Sequence, residues 1–473
     1  MLFNSIAFLV FLPVVFILYW FIVNKNLKVQ NFFLVVASYV FYGWWDWRFL
    51  SLIVISSSID FIVGQFLGKE ERKNKRKLLL SISILANLGF LGFFKYFNFF
   101  VESLRSSLET IGVHAELTTL HIILPVGISF YTFQTMSYTI DLYKRKIEPC
   151  HDWMAFFAFV SFFPQLVAGP IERAKHLLPQ FYKIRRFDYS RAVTGSRLIL
   201  WGMFKKIVIA DRLAEYVNLV YNHPQDHQGI TVILATIFFA FQIYCDFSGY
   251  SDIAIGVARL FGFDLMTNFR TPYFSASIKE FWSRWHISLS TWFRDYVYIP
   301  LGGNRASTPR WIYNLMMTFL VSGLWHGANW TFVIWGFIHG SINAIEALWS
   351  KYKPFNLRLP HLIRVFITFT IVCFAWIFFR ANHVQDAFLL IQNAFNISFD
   401  WDSIKLIAVF NFMILLLLIS LLIFVELVMQ SDFIKRKVFV YQPVRYLAYS
   451  MVIMIMALLG VFQNEQDFIY FQF

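Results

Sequence analysis

Two histidines embedded in apolar sequence are the strongest chemical signal in this chain. His286 lies in Phe-Trp-Ser-Arg-Trp-His-Ile-Ser-Leu, and His326 lies in Leu-Trp-His-Gly. Desolvation disfavours the imidazolium ion, so a histidine in a greasy wall stays unprotonated near neutrality. An unprotonated ring nitrogen can take the proton of a hydroxyl nucleophile. Tryptophan and leucine neighbours exclude the water that would hydrolyse an activated acyl group. A plain helix-packing role for His326 is the alternative that the pattern leaves open.

Further polar groups stand in apolar settings. The run Gln242-Ile-Tyr-Cys-Asp-Phe-Ser-Gly-Tyr-Ser-Asp252 places Asp246, Ser248, Tyr250 and Asp252 at the end of a membrane-length segment. Carboxylates at that depth are costly unless paired or hydrated; the sequence does not name the partner, although Arg284 and Arg294 are close in topology. Lys205 and Lys206 should snorkel or line a cavity. Leu124-Pro-Val-Gly-Ile-Ser breaks a span and reads as a kinked helix, beside either a cavity or a simple packing contact. Of the eleven histidines, His114, His151, His223, His227, His361 and His383 fall in loops or at span ends, and His339 reads as a satisfied core residue. His223 and His227 are separated by Pro224 and no carboxylate completes a zinc set, so no metal site is expected. Phosphate-loop, HExxH, GxSxG and paired-carboxylate patterns do not occur.

The elements that must position these groups follow from periodicity. Ile278, Phe281, Trp282, Trp285, Leu289, Trp292, Phe293 and Tyr296 recur at steps of three and four, which predicts one amphipathic helix carrying His286. Ser277 and Glu280 form a capping box at its start, and Pro300 with Gly302-Gly303 ends the run. Apolar stretches of spanning length occur near 3–23, 30–45, 49–67, 78–100, 119–141, 193–217, 229–248, 311–327, 329–350, 363–380, 404–429 and 447–463. The run from Trp153 to Ala168 is shorter and ends at Pro164 and Gly169-Pro170, which predicts a re-entrant or interfacial piece. Residues 171–191 mix basic and apolar types like a membrane-surface helix.

Composition agrees. The chain has 473 residues, 58% hydrophobic, 20% aromatic and 15% charged, with a mean hydropathy of +0.57. A soluble protein of this size could not hide so much apolar surface, so the class is an all-α polytopic membrane protein. The net charge of +13 comes from lysines and arginines clustered between spans. That clustering reads as membrane topology and lipid headgroup contact rather than nucleic-acid binding. Placing the basic segments 24–30, 68–77, 143–191, 249–310, 351–364 and 433–446 inside puts the N-terminus outside, with the first span retained. Cys150, Cys245 and Cys373 show neither disulfide nor zinc spacing, and only Cys150 is a candidate for lipidation.

Taken together, several stretches resemble the membrane-bound O-acyltransferase family, in particular its bacterial alginate O-acetyltransferase branch. They are Phe-Phe-Pro-Gln-Leu-Val-Ala-Gly-Pro-Ile (162–171), Gln-Ile-Tyr-Cys-Asp-Phe-Ser-Gly-Tyr-Ser-Asp-Ile-Ala-Ile-Gly (242–256), the His286 stretch from Glu280 to Arg305, Leu-Trp-His-Gly-Ala (324–328) and the closing Phe-Ile-Tyr-Phe-Gln-Phe. The resemblance implies a single membrane domain over 1–473: N-terminal spans 1–141, a basic re-entrant segment 142–192, a catalytic core 193–350 and C-terminal spans 351–473. The spans, about a dozen tilted helices at membrane-crossing length, would ring a tunnel.

Within that frame His326 falls on the family's near-invariant histidine and would be the base. His286 falls on its second polar position and would orient the donor or hydrogen-bond the oxyanion. Trp282, Trp285, Arg294, Trp325 and Asn329 would line the substrate path with the Asp246–Asp252 cluster. The donor would be acetyl-coenzyme A or another acyl thioester from the cytoplasmic side of a bacterial inner membrane, with no permanently bound cofactor. The acceptor would be an extracytoplasmic polysaccharide or a hydrolase-like relay protein. A D-alanyl transferase of teichoic acids fed by a carrier protein, and a transporter or acyl channel without chemistry, are the rival readings.

Overall fold

The computed structural model describes residues 1–352, 359–396, 409–430, 441–462 and 468–469. Among these, every regular element is helical. Seven helical stretches are long and apolar enough to cross a membrane: Leu27–Lys69, Lys73–Thr110, Ile230–Leu260, Trp330–Tyr352, His361–Arg380, Asn411–Gln430 and Gln442–Leu459. The protein is an all-helical, multi-pass membrane protein.

Local chemistry explains the helix starts. Asn26 Oδ1 accepts from Lys28 N at 2.9 Å, and Asp152 Oδ1 accepts from Met154 N at 2.9 Å. Each satisfies backbone donors that a helix start leaves over. Where 119–141 was expected to be a kinked helix, regular helix begins only at Ile128. Gly127 precedes it with φ +76°, and a methyl group there would lie 2.7 Å from the Leu166 carbonyl oxygen. Only glycine fits both demands.

By contacts the chain divides into two compact units, Met1–Arg197 with Ala254–Thr267, and Leu198–Ile253 with Asn268–Phe473. In the first unit, the run from Trp153 forms a buried helix, Trp153–Ser161, followed by a single turn at Phe163–Leu166. The expected surface helix over 171–191 does not form: short turns at Ala174–Leu177 and Leu178–Tyr182 are all that appears before Tyr189. Its Arg185 is buried instead, donating to Gln30 Oε1 at 3.2 Å and Asn31 Oδ1 at 2.6 Å over the ring of Phe263. A guanidinium leaves water only when its donors find such acceptors. Cys150 is buried and contacts the Tyr182 hydroxyl, as a packed side chain rather than an exposed lipidation point.

The second unit holds every candidate site residue. Its backbone is a helical hairpin, Thr308–His326 and Trp330–Tyr352. Gly323 faces the Phe332 carbonyl and Gly336 faces the Phe319 carbonyl so closely that a methyl group on either would overlap the opposite backbone. Small residues of this kind let membrane helices approach. The approach packs the end of the first helix, with His326, against its partner. Gly323→Val is expected to force the hairpin apart at a cost of about 1–3 kcal/mol, read as a lowered thermal midpoint in detergent, whereas Tyr313→Phe on the half-exposed face should change little.

Candidate active site

The His286 segment is not one helix. It runs Ile278–Arg284, breaks at Trp285 and His286, and resumes as Ile287–Phe293, then Arg294–Tyr298. Ser277 caps the first piece as expected, its Oγ accepting from Glu280 N at 3.1 Å. The Glu280 carboxylate, however, accepts from Ala276 N rather than from the cap residue. His286 adopts φ 43°, ψ 54°. That left-handed conformation costs a non-glycine residue about 1–3 kcal/mol and clusters at functional sites. Two backbone bonds from the preceding loop hold the break: Ile287 N to Asn268 O and Arg270 N to Arg284 O, both 2.9 Å. The apolar spacing of three and four survives a break of this kind, so periodicity gave no sign of it.

The break turns His286 into the core. The residue is fully buried, with Phe247 at 4.5 Å between ring centroids. Burial pushes its imidazole well below the usual histidine range. His326, 3% exposed, ends its helix against Trp335 at 5.0 Å and Phe379 at 5.3 Å. Trp325 joins the two histidines, its ring 6.2 Å from His286 and 5.0 Å from His326. Residues forty positions apart in sequence thus share one aromatic wall.

Trp282 and Trp285 extend that wall. Trp282 Nε1 donates to His339 Nδ1 at 3.3 Å, and Trp285 stacks on Phe281 and meets Trp376. His339, read from sequence as a core histidine, is fully buried and sits 4.8 Å from Trp335. A cavity of about 150 Å³ lies between the His286 segment and the His326 helix, lined by Trp282, Leu289, Arg294, Tyr298, Phe319 and Ser322 among others. Ser322 is one turn before His326, and Leu289 one turn after His286. The cavity is a small, mostly apolar space with hydroxyls and one guanidinium at its edge. Arg294 also pairs with Asp295 at 2.8 Å. Asn329 stands apart: it caps the Trp330 helix through Thr331 N and donates to Asn382 O, which is a structural duty.

The Asp246–Asp252 cluster has cationic partners that the sequence left unnamed, Lys205 and Lys206. Arg284 pairs with Glu280. Lys206 Nζ lies 2.8 Å from both Asp246 and Asp211, while Lys205 Nζ reaches Asp252 at 2.7 Å and Ser248 at 2.9 Å. Both lysines belong to a π-helical stretch, Phe204–Ala210, whose wider turn faces the Ile230–Leu260 helix across a close Gly202–Gly249 contact. Neither snorkels. Asp246 Oδ2 also accepts from Ile469 N at 2.7 Å, and the Tyr250 ring packs tilted against Phe468, 4.9 Å between centroids. The rest of the closing motif, 470–473, lies outside the described residues. Asn268, which no sequence pattern singled out, is the remaining group at His286.

Similarity to known proteins decides the family. The family model described as MBOAT, membrane-bound O-acyltransferase family, matches residues 3–384. The chain belongs to the membrane-bound O-acyltransferase family. Members of that family are acyl-transfer enzymes, and this chain is an O-acyltransferase. It is 42% identical over 399 residues to the probable alginate O-acetylase of Pseudomonas aeruginosa, covering 84% of this chain and 75% of that protein. It is 35% identical over 422 residues to the peptidoglycan O-acetyltransferase of Helicobacter pylori, covering 83% and 79%. To the teichoic acid D-alanyltransferase of Bacillus subtilis it is 31% identical over 279 residues, covering 54% and 69%.

Proposed function

We propose that this O-acyltransferase moves acetyl groups from a cytoplasmic thioester to a hydroxyl on an alginate-like extracytoplasmic polysaccharide, or to a relay protein that completes the transfer. The observation that carries the reading is the convergence of His286 and His326 on Trp325 inside a dry aromatic wall. In this reading His326 takes the proton of the acceptor hydroxyl. The oxygen attacks the thioester carbonyl, the tetrahedral intermediate collapses, and the thiolate leaves and is reprotonated. His286 stands on the donor side. No protein nucleophile is needed, and the surrounding tryptophans and phenylalanines keep water from the thioester.

The protein sits in the bacterial inner membrane with its N-terminus outside, which puts the basic segments on the cytoplasmic face, the side of the phosphate-bearing donor. Residues 193–350 form the catalytic part of one membrane domain. The greater identity and coverage of the acetyl-transferring relatives support acetyl over D-alanyl. The test offers the chain in nanodiscs either radiolabelled acetyl-coenzyme A or a D-alanyl carrier protein, with polysaccharide as acceptor. Acetyl incorporation with no D-alanyl incorporation is expected. The reverse result would move the chain to the teichoic acid reading, and ligand flux across sealed proteoliposomes without any transfer would make it a channel.

A further inference from the structure

Asn268 makes a set of contacts that defines the protonation of His286. Its Oδ1 accepts from Ser288 N at 3.2 Å and from Ser288 Oγ at 2.9 Å, and lies 3.1 Å from His286 Nδ1. Its Nδ2 donates to Ser251 Oγ at 3.2 Å. A backbone N–H can only donate, so the atom facing Ser288 N must be the amide oxygen, which settles the orientation of the Asn268 side chain. The same oxygen faces His286 Nδ1. That nitrogen therefore carries a hydrogen, and in a neutral ring the lone pair lies on Nε2. The backbone bond from Ile287 N to Asn268 O holds the two residues in register. Asn268, Ser251, His286 and Ser288 are all buried, so water does not compete for these contacts.

We infer that Asn268 is a positioning residue that holds His286 in the Nδ1–H form, so that His286 presents a hydrogen-bond acceptor, not a donor, to the reacting groups. The inference rests on the acyl-transfer reading above and sharpens it. A neutral His286 with its lone pair on Nε2 cannot donate from that atom to a developing oxyanion. It accepts a hydrogen bond instead, from an N–H or O–H group of a substrate, such as an amide of a pantetheine arm next to the thioester.

The test uses the full chain in nanodiscs and two readouts. The first is ¹⁵N NMR of histidine-labelled resting protein, with the His286 signal assigned by its loss in His286→Gln. Wild type should show a protonated Nδ1 and an unprotonated Nε2, and Asn268→Leu should lose that preference. The second is acetyl transfer from acetyl-coenzyme A across pH. Asn268→Leu should lower kcat at least about tenfold with KM little changed. Asn268→Asp keeps the acceptor oxygen and adds a negative charge, which raises the pKa of the ring. It should therefore retain transfer at alkaline pH and move the acid limb of the profile upward. A wild-type His286 protonated on Nε2, or a folded Asn268→Leu with wild-type kcat and pH profile, would overturn the inference. The NMR arm needs no substrate. If wild type fails to use acetyl-coenzyme A, the donor reading falls, and the tautomer still decides for or against Asn268.

Discussion

His326→Ala is expected to lower acyl transfer by about 10²–10⁴-fold, the usual contribution of a positioned general base, while the protein still inserts and elutes as a single species. The size follows from the setting. The imidazole is 3% exposed and walled by Trp325, Trp335 and Phe379, so no water chain can stand in for the missing nitrogen. Loss of the ring also opens a void against Trp335, which should cost some stability; His326→Gln fills more of that space and should show the same catalytic loss with a smaller change in thermal midpoint. Initial-rate assays beside thermal unfolding separate the two effects. A His326→Ala protein that keeps most of its transfer rate would remove this histidine from the mechanism.

The second large effect concerns stability. Lys206→Met is expected to cost about 3–5 kcal/mol, because it removes the cation from a buried ion pair and leaves the carboxylates behind. Asp211 and Asp246 keep only 2% and 5% of their side-chain surface exposed, so losing Lys206 brings two buried negative charges together. Asp246 also receives Ile469 N, so the loss should loosen the C-terminal segment as well. Thermal unfolding in detergent reads the change, and protease access near Ile469 reads the loosening. Adding Asp246→Asn to Lys206→Met should recover part of the loss, since it removes one of the two like charges. Equal midpoints for wild type and Lys206→Met would show that the network contributes no net stability.

Much of the membrane architecture was legible because a span needs a long apolar run, and length and composition report that directly. The site was legible in part. His286 and His326 stood out because polar groups in greasy sequence are costly and so draw notice. Their meeting at Trp325 was hidden, since it depends on how the segments fold back on one another. The broken helix at His286 escaped notice because a helix and a helix–kink–helix can carry the same apolar spacing. The partners of Asp246 and Asp252 could not be named from the sequence, which showed only that Arg284 and Arg294 are close in topology. A π-helical turn brings Lys205 and Lys206 inward to the two carboxylates, and local propensity gives no warning of such a turn. Asn268 lies in a loop and acts through hydrogen bonds between residues far apart in order. Nothing in its neighbours Thr267 and Phe269 marks it.

The central claim is that a donor on one face and an acceptor on the other meet at His326. Sealed inside-out membrane vesicles test it, with radiolabelled acetyl-coenzyme A added outside and polysaccharide acceptor trapped in the lumen. The account predicts labelled polymer inside the vesicles with wild type and none with His326→Ala. Label appearing only on acceptor supplied outside, on the same face as the donor, would contradict it.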